Sequence, residues 1–101
     1  MLIYNVTTQV NWSIREAWVK WMQETHLPQI MDTGCFTKAQ FVKLLDTDEE
    51  DGPTYAAQFY ANSMDQYNEY IEKYGPALRK DAKDTWSENL ISFRSLMEVL
   101  E

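Results

Sequence analysis

Residues Leu2 to Val10 alternate between two sets, Tyr4, Val6, Thr8 and Val10 against Ile3, Asn5, Thr7 and Gln9. Their richness in β-branched and aromatic types predicts a strand. The period then changes. Ile14, Ala17, Trp18, Trp21, Met22 and Thr25 recur at helical spacing, and Ser13 with Glu16 has the form of a capping box at the helix start. Pro28 bends or ends this helix, and Gly34 marks the exit. Cys35 to Leu45 reads as a second strand and Pro53 to Ala61 as a third, joined by the acidic, glycine-containing turn Asp46 to Gly52. That connection predicts an antiparallel hairpin. Ser63 and Gln66 repeat the capping pattern before Met64, Tyr67, Ile71, Tyr74 and Leu78, spaced as one helix face. Gly75-Pro76 predicts a break into two helices. Leu90 to Leu100 closes the chain as a fourth strand.

The order βαββαβ is that of the split-βαβ, ferredoxin-like fold. It predicts one α+β domain over residues 1–101, with a four-stranded antiparallel sheet and both helices on one face. Right-handed crossovers place the first and third strands centrally. The other sheet face is then open. In the third strand, Tyr55, Ala57, Phe59 and Ala61 should meet the helices, opposite Thr54, Ala56, Gln58 and Tyr60. In the last strand, Ile91, Phe93, Met97 and Val99 oppose Ser92, Arg94, Leu96 and Glu98. Turning the more apolar set inward each time leaves Asn5, Thr7, Gln58, Tyr60, Ser92 and Arg94 on the open face. Amides, hydroxyls and one guanidinium at fixed spacing are suited to orienting a small polar or anionic ligand. A solvated outer face is the alternative, and a one-residue slip would exchange the faces.

With 45% hydrophobic residues the chain has material for a core, and its formal net charge of −7 lacks the basic stripe that polyanion binding needs. Nucleic acid and anionic membrane surfaces are disfavoured as partners. No apolar run approaches the roughly 20 residues of a membrane span. The start Met1-Leu2-Ile3-Tyr4 has no basic leader, and Cys35 is the single cysteine, so the cytoplasm is the expected location.

His26 is the only histidine and a candidate proton carrier, although a histidine in a last helical turn can simply serve the free carbonyls. One His and one Cys cannot build a zinc site of those ligands within one chain. Cys35 has no basic neighbour to activate it and reads as inert. An EF-hand would need glycine at Asp51 and a bidentate glutamate at Ala57, so the acidic turn reads as solvated. With three glycines, Gly34, Gly52 and Gly75, no P-loop or dinucleotide fingerprint exists, and no cofactor is expected. Trp18 and Trp21 read as core; Trp12 and Trp86 read as loop residues at the core edge.

Several segments resemble the small bacterial family called domain of unknown function 4286: Ile3-Tyr4-Asn5-Val6, Trp18-Val19-Lys20-Trp21-Met22, His26-Leu27-Pro28, Gly34-Cys35-Phe36-Thr37, Thr54-Tyr55-Ala56-Ala57-Gln58-Phe59 and Phe93-Arg94-Ser95-Leu96. The resemblance covers essentially the whole chain. It is similar in turn to the dimeric α/β-barrel superfamily, which includes cofactor-free oxygenases and heme-degrading enzymes. That implies a homodimer with sheets face to face, and supplies no catalytic residue. The expected function is a homodimeric domain binding a small polar or anionic ligand through Asn5, Gln58, Tyr60 and Arg94. One rival is a cofactor-independent oxygenase or isomerase, with His26 or Tyr60 moving protons and Asn5 or Arg94 polarising an oxygen. A purely structural interaction module is the other.

Overall fold

The computed structural model describes residues 1–100. Strand β1 (Leu2–Val10) passes through a 3-10 turn (Trp12–Ile14) into helix α1 (Arg15–Trp21). A wide π-helical turn (Met22–His26) and α2 (Leu27–Met31) complete the first crossover. After the hairpin of β2 (Lys38–Lys43) and β3 (Thr54–Ala61), the second crossover comprises α3 (Met64–Glu69), another π-helical turn (Tyr70–Tyr74) and α4 (Gly75–Trp86). Strand β4 (Leu90–Glu98) follows. The sheet order is β2-β3-β1-β4, wholly antiparallel, with the first and third strands central as expected.

Tyr4 and Val10 of β1 and Tyr55, Ala57, Phe59 and Ala61 of β3 face inward against Trp18, Met22, Ile30 and Tyr70. Tyr4 alone packs against the rings of Phe36, Phe59, Tyr67 and Tyr70 at centroid distances of 5.7–6.1 Å. Tilted and offset pairs of this kind add to the burial term.

Both crossovers share one local solution. Proline has no N–H, and its ring would strike the carbonyl four residues back. Ahead of Pro28 the Leu27 N–H donates to Met22 O, and ahead of Pro76 the Gly75 N–H donates to Tyr70 O, five residues back in each case. The turn widens, and the chain stays helical. The expected break at Gly75-Pro76 therefore does not occur; Gly75 has an ordinary helical φ of −54°.

Two caps differ in outcome. Ser63 Oγ accepts from Gln66 N at 3.2 Å, while Gln66 Oε1 accepts from Asn62 N at 3.0 Å, one residue earlier than a strict capping box. Ser13 makes no cap; a 3-10 turn takes its place, with Ile14 N donating to Asn11 O. The second strand is also shorter than expected, running from Lys38 to Lys43 rather than from Cys35 to Leu45, and the buried Cys35 and Phe36 lie in the connection before it.

The face of β4 is a correction. Arg94 pairs with Val6 and Ser92 with Thr8, and Thr8 Oγ1 lies 2.9 Å from Ser92 Oγ. Since Val6 and Thr8 face the helices, so do Arg94 and Ser92. Phe93 and Ile91, 66% and 58% exposed, lie on the open face instead. Turning the apolar set inward presumes that one face is buried within the chain. Edge strand β4 is exposed from Ile91 to Glu98, so that premise fails there.

Candidate functional site

Between sheet and helices lies a cavity of about 300 Å³. Its floor is Tyr4, Val6 and Thr8 of β1 with Ala57 and Phe59 of β3. Trp18, Trp21, Met22, His26 and Ile30 form one wall, and Arg79, Ala82 and Lys83 of α4 form another. Ser87, Leu90, Ser92 and Arg94 complete it beside β4. The two widened turns deliver to this space: His26 ends the first and Tyr70 begins the second. Such turns recur at functional positions because they re-aim side chains within a helix.

His26 stacks on Trp21 with ring centroids 4.6 Å apart and planes 18° apart, and Trp21 meets Trp86 edge-on at 5.7 Å. Its Nδ1 is buried without a hydrogen-bond partner among the described residues. Burial lowers the imidazole pKa from its ordinary 6.5, against a smaller opposing pull from Asp81. The ring is therefore neutral at pH 7 and able to accept a proton.

Arg79 is held by a glycine. A methyl group built on Gly75 would lie 2.6 Å from Arg79 Nη1, so the missing side chain four residues earlier makes the niche for the guanidinium. That Nη1 is buried and has no acceptor among the described residues. Tyr70, 2% exposed, has its phenol pKa raised strongly, chiefly by burial and then by Tyr4, with Arg79 and Arg94 pulling the other way. It remains a neutral phenol.

Arg94 is exposed where the cavity meets a surface groove formed with Tyr67, Ile71 and Leu96. No carboxylate of the described residues pairs with it, Glu98 on the same strand face included. The lining thus carries Arg79, Lys83 and Arg94 and no Asp or Glu. The whole chain is acidic, yet the cavity is cationic.

Of the residues expected to act together, the structure brings Arg94 and His26 to this cavity and leaves Asn5, Gln58 and Tyr60 on the other sheet face. Asn5 stands opposite Gln58 and donates from Nδ2 to Thr7 Oγ1 at 2.9 Å. Lys38 Nζ lies 5.1 Å from the Tyr60 ring centre. Arg79, Lys83 and Tyr70 escaped the sequence reading. The available signal was Gly75 four residues before Arg79, read there as a helix break.

Outside the cavity, Cys35 is buried and free, and burial raises its thiol pKa. Trp12 is half exposed and donates to Glu49 O of the acidic turn at 2.8 Å. Among the described residues no group of three or more His, Cys, Asp or Glu is placed to hold a metal, and no helix is long and apolar enough to cross a membrane.

Four antiparallel strands in this order, with two helical crossovers on one face, define a ferredoxin-like α+β domain. The chain belongs to the family "domain of unknown function (DUF4286)", whose model matches residues 1–100. No curated protein matches the sequence. Among solved structures, a dimeric ferredoxin-like protein from an uncultured marine organism is 10% identical, with a TM-score of 0.78 over 99% of this chain and 95% of its own. An EthD family protein from Bacillus halodurans is 14% identical, with a TM-score of 0.74 over 99% of this chain and all of its own. SnoaB, a cofactor-independent oxygenase from Streptomyces nogalater, is 12% identical, with a TM-score of 0.70 over 99% and 93%. At these identities the likeness is one of fold.

Proposed function

We propose that this chain is a homodimeric domain that binds a small anion in the cavity between sheet and helices. The observation that carries this is Arg79 Nη1, buried without an acceptor in a cavity lined by three cationic side chains and no carboxylate. A half-buried guanidinium with no paired carboxylate gains a charge-assisted partner when an anion enters. The assembly is supported by exposed Phe93 and Ile91 on the open face and by neighbours described as dimeric ferredoxin-like proteins.

The test is thermal unfolding with a panel of carboxylates and phosphates at constant ionic strength. Wild-type protein should be stabilised saturably by at least one. At 100 times Kd that is about 2.7 kcal/mol, or on the order of 10 °C for a domain of this size. Arg79→Met should melt no lower without anions and should lose the response. Failure of every anion to stabilise the wild type would remove the reading.

The state of His26 favours a second reading, a cofactor-independent oxygenase. A neutral, buried imidazole can take a proton from a bound hydroxyl, and the Arg94 guanidinium can stabilise the resulting oxyanion. Oxygen uptake with a panel of electron-rich phenols should then occur with wild type and not with His26→Phe, which keeps a ring on Trp21. Wild-type protein that consumes no oxygen on any of them is a binder only.

A further inference from the structure

The polarity of the cavity is divided by element. Its cations come from one side, Arg79 and Lys83 of α4 with Arg94 of β4. The rest of the lining is mainly apolar, with Trp18 and Trp21 of α1, Met22 of the first π-helical turn, Val6 of β1 and Leu90 of β4, and its Thr8 and Ser92 hydroxyls are bonded to each other. From this division we infer that the anion is a small monocarboxylate with a compact apolar body of ring size. The inference rests on the anion-binding reading above and names its ligand class.

Size sets the first bound. About 300 Å³ corresponds to roughly ten water-sized groups of ~30 Å³ each. A nucleotide exceeds that, and acetate would leave most of the apolar wall unfilled. Chemistry sets the second. The hydroxyls of a sugar would meet mainly the partly exposed Val6, Trp21, Ala82 and Leu90, while the Thr8 and Ser92 hydroxyls already bond each other, and each hydroxyl left unpaired would cost free energy. An apolar body there gains from every contact. The third bound is geometric. A guanidinium presents a planar fork that matches a carboxylate bidentately, and the half-buried Arg79 offers it from a fixed niche against Gly75. A ring against the partly exposed Trp21, Val6 and Leu90 with its carboxylate toward α4 satisfies all three.

The experiment compares benzoate, cyclohexanecarboxylate, acetate, inorganic phosphate and benzyl alcohol by tryptophan fluorescence titration and thermal shift at matched ionic strength. Benzoate or cyclohexanecarboxylate should bind at least tenfold tighter than acetate or phosphate, and benzyl alcohol should not bind measurably. Val6→Ala, which enlarges the apolar wall at a half-buried position, should shift preference toward 1-naphthoate. Equal binding of acetate, phosphate and benzoate would overturn the ring-carboxylate inference while leaving the anion site standing. Binding of benzyl alcohol as tight as benzoate would show an apolar pocket without anion recognition. No binding by any of the five would overturn both. Should Val6→Ala fail to fold, the wild-type ligand series decides alone.

Discussion

At Gly75 the backbone is ordinary helix, φ −54°, so nothing in its conformation requires glycine. An alanine inside a helix is usually better by about 0.5–1 kcal/mol. What glycine supplies here is space, because the nearest atom to an added methyl is Arg79 Nη1 at 2.6 Å, with Tyr70 O next at 3.3 Å. The guanidinium is the far end of a flexible side chain and can swing away. Gly75→Ala should therefore fold and melt at or slightly above the wild-type temperature, while its stabilisation by anions falls to that of Arg79→Met. A Gly75→Ala protein that keeps the full anion response would show that the niche does not position Arg79. Loss of stability together with an unchanged response would assign Gly75 to packing alone.

The elements show which features periodicity could and could not reveal. The strands β1 and β3 are central, each with one face under the helices, so alternation sorted Tyr4, Val6, Thr8 and Val10, and Tyr55, Ala57, Phe59 and Ala61, correctly. The same rule failed on β4, because an edge strand exposed on both faces carries no such contrast. The helical stripe was misread for a different reason. A uniform period through Met64, Tyr67, Ile71, Tyr74 and Leu78 assumes regular α-helix throughout. The wide turn before Pro76 shifts the phase, so Tyr70 is 2% exposed while Tyr74 is 37% exposed. Prolines at 28 and 76 were visible in the sequence, but they mark an irregularity without saying whether the helix breaks or widens. Of the cavity, His26 and Arg94 were legible as single residues. Their meeting was not, since it depends on β4 register and on a turn whose hydrogen bonds skip a residue.

On the scale of the whole molecule, β4 is the unfinished part. A nine-residue edge strand presents unpaired backbone groups and is exposed along both faces, a condition that proteins normally cover or blunt. Phe93 and Ile91 on its open face neighbour Thr7 and Gln9 of β1, and Met97 neighbours Ile3. These exposed apolar groups make a patch of the kind that marks a protein interface, and a second copy of the chain would present the same surface in return. Light scattering after gel filtration should give about twice the chain mass of 11.9 kDa. Phe93→Lys combined with Ile91→Lys should yield a folded monomer, because neither residue belongs to the core cluster of the chain and lysine suits an exposed strand edge. The cavity is lined from a single chain, so this monomer should still be stabilised by anions. A monomeric wild type at micromolar concentration would refute the dimer. A double variant that stays dimeric would place the interface on another surface, and a monomer that loses its anion response would mean that the partner completes the cavity.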